Sequence, residues 1–141
     1  MPSILIIDDQ PCVRALLSEE LAADGYRVAG LSDGDSVRAH LRSTRPDLVL
    51  LDLYLDGPDG WELLRDIKRH DPELPVLIVT AYDSFVDDPR LSQADGYFVK
   101  SLDFRDLKHK IAHLLREKPS LETKVDTGRH VRNWRAANLP C

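Results

Sequence analysis

A doubly wound α/β domain around a five-stranded parallel sheet, with strand order 2-1-3-4-5, is the fold this sequence predicts. Three observations carry the expectation. Short apolar runs alternate with longer amphipathic stretches, the connections are short, and two of the runs end on acids. Ile4 to Ile7 leads into Asp8 and Asp9, and Leu48 to Leu51 leads into Asp52. An apolar run this short is a buried strand rather than a helix, so the carboxylates belong at strand C-terminal ends, where open α/β sheets bind ligands. The predicted strand order puts its switch point between the first and third strands, which carry all three acids.

Each element has its own local reason. Ser3 to Asp8 is the first strand, and Pro11 then opens a helix with Val13, Leu16, Leu17 and Leu21 on one face and Gly25 as its stop. Arg27 to Leu31 is the second strand. Asp33-Gly34-Asp35 leads into a helix with Val37 and Leu41 inward, broken before Pro46. Asp47 to Leu51 is the third strand, and Asp59 caps a helix that buries Trp61, Leu64 and Ile67 and ends at Asp71-Pro72. Pro75 to Val79 and Gly96 to Val99 are the fourth and fifth strands. Phe85, Val86 and Leu91 could form an apolar helical face between them, but Pro89 permits at most a short or kinked helix. Asp103 caps the last helix, in which Phe104, Leu107, Ile111 and Leu114 repeat at spacings of three and four.

Composition narrows the function classes. The chain has 141 residues, 43% apolar and 30% charged, which suits one globular domain and excludes a disordered tail. No apolar stretch approaches the ~20 residues of a membrane helix, and the start lacks a basic region leading into a signal-peptide core; the expectation is a cytoplasmic protein without membrane insertion. The net charge of -5 hides an asymmetry, because residues 1–117 carry -8 and residues 118–141 carry +3. An acidic body argues against general nucleic-acid binding. Cys12 and Cys141 lack metal-ligand spacing and read as free thiols. His109 and His113 have the i, i+4 spacing of a metal pair without a third ligand, which reads as a solvated helix face.

The acids bear the chemistry. Three carboxylates in a low-dielectric crevice repel one another unless they share protons, meet basic partners or hold a cation, and oxygen-only ligands favour a hard ion such as Mg²⁺. Thr80 follows the fourth strand and Lys100 the fifth, so both face the same crevice. A carboxylate nucleophile, a cation cage, a hydroxyl and a point positive charge form the set that phosphoryl transfer requires, because its transition state spreads negative charge over oxygens that must be neutralised. Taken singly, an Asp-Asp pair after a strand is a helix cap beside a solvated acid, and a lone Thr or Lys at a strand end carries no message.

Ile-Leu-Ile-Ile-Asp-Asp-Gln-Pro, Leu-Asp-Leu-Tyr-Leu-Asp-Gly-Pro-Asp-Gly, Val-Thr-Ala and Gly-Tyr-Phe-Val-Lys together resemble the response-regulator receiver domain of two-component signalling, over roughly residues 3–116. The resemblance implies a flavodoxin-like receiver in which Asp52 accepts a phosphoryl group from a phosphohistidine on a sensor histidine kinase or histidine phosphotransfer protein. It implies Mg²⁺, with Mn²⁺ able to substitute, held by Asp9, Asp52 and the main-chain carbonyl of Tyr54, with Asp8 acting through a water. Lys100 would pair with Asp52 and then with a phosphoryl oxygen; Thr80 would bond another oxygen and move inward, and Tyr97 would rotate into the space behind it. The added charge would bias the fourth helix, fifth strand and fifth helix, the surface through which the chain would dimerise or engage a downstream protein. Tyr54 and Tyr82 flank the phosphoryl position, where two rings would hinder attacking water; replacing both with small residues is then expected to speed phosphate loss.

The family pattern is departed from on the output side. Ser101 stands where Pro usually follows the Lys, the stretch from Thr80 to Lys100 is slightly short, and Pro89 interrupts the fourth helix. The receiver is expected to span residues 1–117. Residues 118–141 form a basic C-terminal extension, too small for a DNA-binding domain, in which Arg129, Arg132, Arg135, Val131 and Trp134 could form a docking helix or serve no fixed role. Two rivals remain open. A receiver that has lost switching would act as a constitutive interaction module. A Mg²⁺-dependent aspartyl phosphohydrolase would need an acid two residues beyond its nucleophile, and that position is Tyr54.

Overall fold

The computed structural model describes residues 1–53, 60–81, 87–100 and 103–115. Five strands, β1 (Ser3–Ile7), β2 (Arg27–Leu31), β3 (Leu48–Leu51), β4 (Val76–Thr80) and β5 (Gly96–Val99), pair in the order β2-β1-β3-β4-β5. Every pairing is parallel, in the predicted order. Helices α1 (Pro11–Ala23), α2 (Gly34–Ser43), α3 (Gly60–His70) and α4 (Phe104–Leu114) cover the two faces.

Alternate residues of the central strands bury on opposite faces, which is why these strands read as continuous apolar runs. Ile4, Ile6, Leu48, Leu50, Val79 and Phe98 pack with α1 and α4. Leu5, Ile7, Val49, Leu51, Val76 and Ile78 pack with Val37 of α2 and with Trp61, Leu64 and Ile67 of α3.

The helix ends follow the sequence signals. Pro11 occupies the first position of α1, and Gly25, at φ +94°, closes its C-terminus while the Tyr26 amide donates to the Leu21 carbonyl at 3.2 Å. Asp33 caps α2 by accepting from the Ser36 amide at 2.8 Å, and Asp103 caps α4 through the Arg105 amide at 2.8 Å. The expected cap of α3, Asp59, lies outside the described residues.

Between β4 and β5 the described chain forms a 3₁₀ turn, Pro89–Gln93, rather than an α-helix. Pro89 starts it, Asp88 caps it through the Arg90 amide, and the Arg90 guanidinium lies 4.3 Å from the centre of the Trp61 ring. Phe85 and Val86, assigned to the same helical face, lie outside the described residues. Thr80 belongs to β4 instead of following it, because the ladder continues to a Thr80–Val99 pair. The free-thiol reading is corrected at Cys12, which is disulfide-bonded. A place in a helix does not bar pairing, which depends on spatial separation, and Cys12 is half-buried at the exposed start of α1. Cys141 and the rest of 116–141 lie outside the described residues.

Candidate functional site

Strand ladders carry the acids one residue past the sheet. The Asp8 amide donates to the Leu31 carbonyl at 3.1 Å and the Asp52 amide to the Ile7 carbonyl at 2.9 Å, so both carboxylates are fixed by the backbone that ends β1 and β3. Asp9 follows at the mouth, half-buried. Carboxylate oxygens of Asp8, Asp9 and Asp52 lie within 4.8 Å of one another. Among the described residues this is the one such cluster of acids, His or Cys; His109 and His113 are exposed on α4.

Lys100 enters from the end of β5, its amide donating to the Thr80 carbonyl at 2.7 Å. Its Nζ donates to Asp8 Oδ2 at 2.7 Å and to Asp52 Oδ2 at 3.1 Å. The expectation of a Lys100–Asp52 pair is met, and Asp8 is the closer partner. All three side chains are buried, at 5%, 6% and 2% exposure for Lys100, Asp52 and Asp8, so little water screens them. Burial pushes the Lys100 pKa down, but the charges of Asp8 and Asp52 and their hydrogen bonds outweigh it, and the net shift is upward. The ammonium is thereby held charged.

Formal charges decide what else the crevice can take. Three carboxylates and one ammonium leave a surplus of two negative charges among oxygen donors. That donor set fits a hard divalent cation. Asp8 already uses both oxygens, since Oδ1 accepts from the Gln10 amide at 2.9 Å while Oδ2 holds Lys100.

Thr80 is fully buried at the end of β4. Tyr97, opposite Ile78 on β5, is half-buried and packs on the α3 side of the sheet, the face that Thr80 shares by strand alternation. Tyr54 and Tyr82, including the Tyr54 carbonyl, lie outside the described residues, as does Ser101.

Two contributors were missed by sequence reasoning. Arg14, on the first turns of α1, donates from Nη1 to the Asp8 carbonyl at 2.7 Å. Helical side chains lean toward the N-terminus, so a basic residue just inside α1 reaches back to the acid pair, and this was the available signal. A Cβ on Gly30 of β2 would meet Arg14 Cδ at 3.3 Å, so glycine leaves that arm room. Gly60 is the second. A Cβ there would lie 2.5 Å from the Leu53 backbone, so only glycine lets α3 start against the residue after Asp52.

Known proteins resemble this chain in sequence and in fold. The response regulator receiver domain model matches residues 4–112. The chain is 40% identical to the transcriptional regulatory protein AfsQ1 of Streptomyces coelicolor over 82% of its own length and 52% of that protein's. It thus spans about half of that relative. It is 33% identical to sporulation initiation phosphotransferase F of Bacillus subtilis, over 79% of this chain and 92% of that one. Among solved structures, response regulator TrrA of Thermotoga maritima in complex with Mg²⁺-BeF superimposes with a TM-score of 0.77 at 35% identity, covering 81% of this chain and 99% of that one. TrrA has also been solved in complex with the histidine kinase ThkA, where it matches with the same TM-score at 36% identity over 82% of this chain and 99% of TrrA. Sheet order, acid cluster and these matches agree: the chain belongs to the response regulator receiver domain family.

Proposed function

We propose that this receiver is a phosphoacceptor, taking a phosphoryl group onto Asp52 from a phosphohistidine and altering protein contacts in response. The observation that carries the reading is Asp52 itself, buried at the end of β3, clustered with Asp8 and Asp9 and 3.1 Å from the Lys100 ammonium. In the transfer an Asp52 oxygen attacks phosphorus, the phosphorus–nitrogen bond breaks, and its electron pair stays on the imidazole of the donor. A Mg²⁺ ion held by Asp9 and Asp52, with Asp8 assisting through water, would supply charge compensation for the phosphoryl oxygens.

The chain's own residues do the remainder. Lys100, kept charged, swings from the Asp52 carboxylate to a phosphoryl oxygen and leaves Asp8 as its anchor. Thr80 offers its hydroxyl to another oxygen, and Tyr97, on the same face of the sheet, takes up the space vacated behind it. TrrA bound to a histidine kinase supports a kinase as donor, and the name of phosphotransferase F supports a relay protein as the alternative. The output is a partner protein or a second copy, engaged through the turn before β5, β5 and α4. Residues 1–117 act as the receiver and 118–141 as a basic extension. The phosphohydrolase reading loses ground because Tyr54 cannot protonate a leaving group as an acid would.

Incubation with acetyl phosphate and Mg²⁺, followed by intact-mass measurement, is the test. One added phosphoryl group in the native chain and none in Asp52→Asn is the expected result. Modification that persists in Asp52→Asn would sink the assignment.

A further inference from the structure

The groove between α2 and α3 stands apart from the acidic crevice in place and in charge. It is an open cleft of about 560 Å³ lined by Val37, Leu41, Leu63 and Ile67, of which Leu41 is partly exposed and the other three are already buried in the core. Toward the N-terminal side the Arg38 guanidinium is ion-paired across it with Asp66, so those charges cancel. Toward the C-terminal ends of both helices the rim is Arg42, Arg69 and His70, all exposed, and no carboxylate is paired with Arg42 or Arg69 among the described residues. Helix C-termini offset about one unit of positive charge between them, which leaves the rim basic on a body whose first 117 residues carry -8.

We infer that the α2–α3 groove is a docking site for an acidic segment of a partner protein, one that sets an apolar side chain against Leu41 and carboxylates against Arg42 and Arg69. Charge complementarity chooses the occupant. Planar guanidinium groups pair bidentately with carboxylates, and the partly exposed Leu41 gives an anchoring side chain an apolar contact. The chain's own extension, at +3, is repelled by the same rim. Helices of 10 and 11 residues make a cleft roughly 15 Å long, enough for two or three turns of a bound helix. The docking does not depend on phosphorylation of Asp52.

Titration of the isotopically labelled full chain with a short amphipathic peptide of Leu, Ala and Glu tests the inference, alongside the same peptide with Lys for Glu and a poly-uridine RNA. The expected result is amide shifts confined to residues 37–42 and 63–70 with the Glu peptide alone. Binding should weaken about tenfold in an R42E/R69E double variant, which should gain affinity for the Lys peptide. R42Q/R69Q, which adds no negative charge, should weaken the Glu peptide in the same direction and serves if the charge reversal fails to fold. The inference is overturned if the Glu peptide leaves these amides unmoved, binds the variants equally, or is outcompeted there by RNA. It is also overturned if concentration-dependent sedimentation, abolished by R42E/R69E, assigns the groove to a second copy of the chain.

Discussion

Lys100 is the residue on which the site's electrostatics turn. Its ammonium is the buried positive charge bonded to Asp8 and Asp52, and removing one partner of a buried ion pair strands the others. Lys100→Ala is expected to cost about 3 kcal/mol of stability in chelator-containing buffer, read from urea unfolding. Asp9→Asn should do the opposite under the same conditions, raising the midpoint, because it relieves repulsion without breaking the Lys100 contacts. A lowered midpoint for Asp9→Asn would mean that the trio is not electrostatically strained. Arg14 acts beside them as a positioning residue, through the Asp8 carbonyl rather than through any reacting atom.

At the scale of elements, close approaches hold the crevice in shape and a loop-to-loop ion pair ties the opposite end of the sheet. Gly60→Ala would drive a Cβ into the Leu53 backbone at 2.5 Å, a contact that no flexible side chain can relieve. Overpacking of this kind costs about 3 kcal/mol, and thermal unfolding should show it, whereas Gly30→Ala, which meets the Arg14 side chain at 3.3 Å rather than backbone at 2.5 Å, should be much milder. At the far end of the sheet, Asp71 after α3 accepts from Arg45 Nε at 2.6 Å, and this hydrogen bond, followed by the Arg45 charge, holds the carboxyl below its ordinary range. A depressed folded-state pKa means that the pair's stabilisation is present above the ordinary value of 3.8 and is lost as pH falls through the lower one. Carboxyl NMR titration should therefore place the Asp71 midpoint below 3.8 in the native chain and return it toward 3.8 in Arg45→Ala.

For the whole molecule, folding brings together the three carboxylates proposed to hold a cation, so metal binding and stability would be linked. Mg²⁺ at about a hundredfold excess over its dissociation constant should stabilise the fold by about 2.7 kcal/mol. Calorimetry should show the melting temperature rising with Mg²⁺ in the native chain and staying flat in Asp9→Ala; a flat response in both would remove the cation site. No helix among the described residues is long and apolar enough to cross a membrane.

Much of this was legible because parallel strands bury both faces and must therefore be written as apolar runs. Ile4–Ile7, Leu48–Leu51 and Val76–Val79 announced the three central strands, and strand ends announced where Asp8, Asp9, Asp52 and Lys100 would meet. Sequence alone thus determined the topology and the gathering of three acids and one lysine at one end of the sheet, since both depend on local periodicity and on connection rules. Tertiary structure decided the rest. That Lys100 lies nearer Asp8 than Asp52, that Arg14 reaches the Asp8 carbonyl, that Gly60 must lack a side chain, and that a basic groove opens between α2 and α3 are facts about distances between elements remote in the chain. Local periodicity specifies which face of an element turns inward, but not what the packed neighbour brings to meet it.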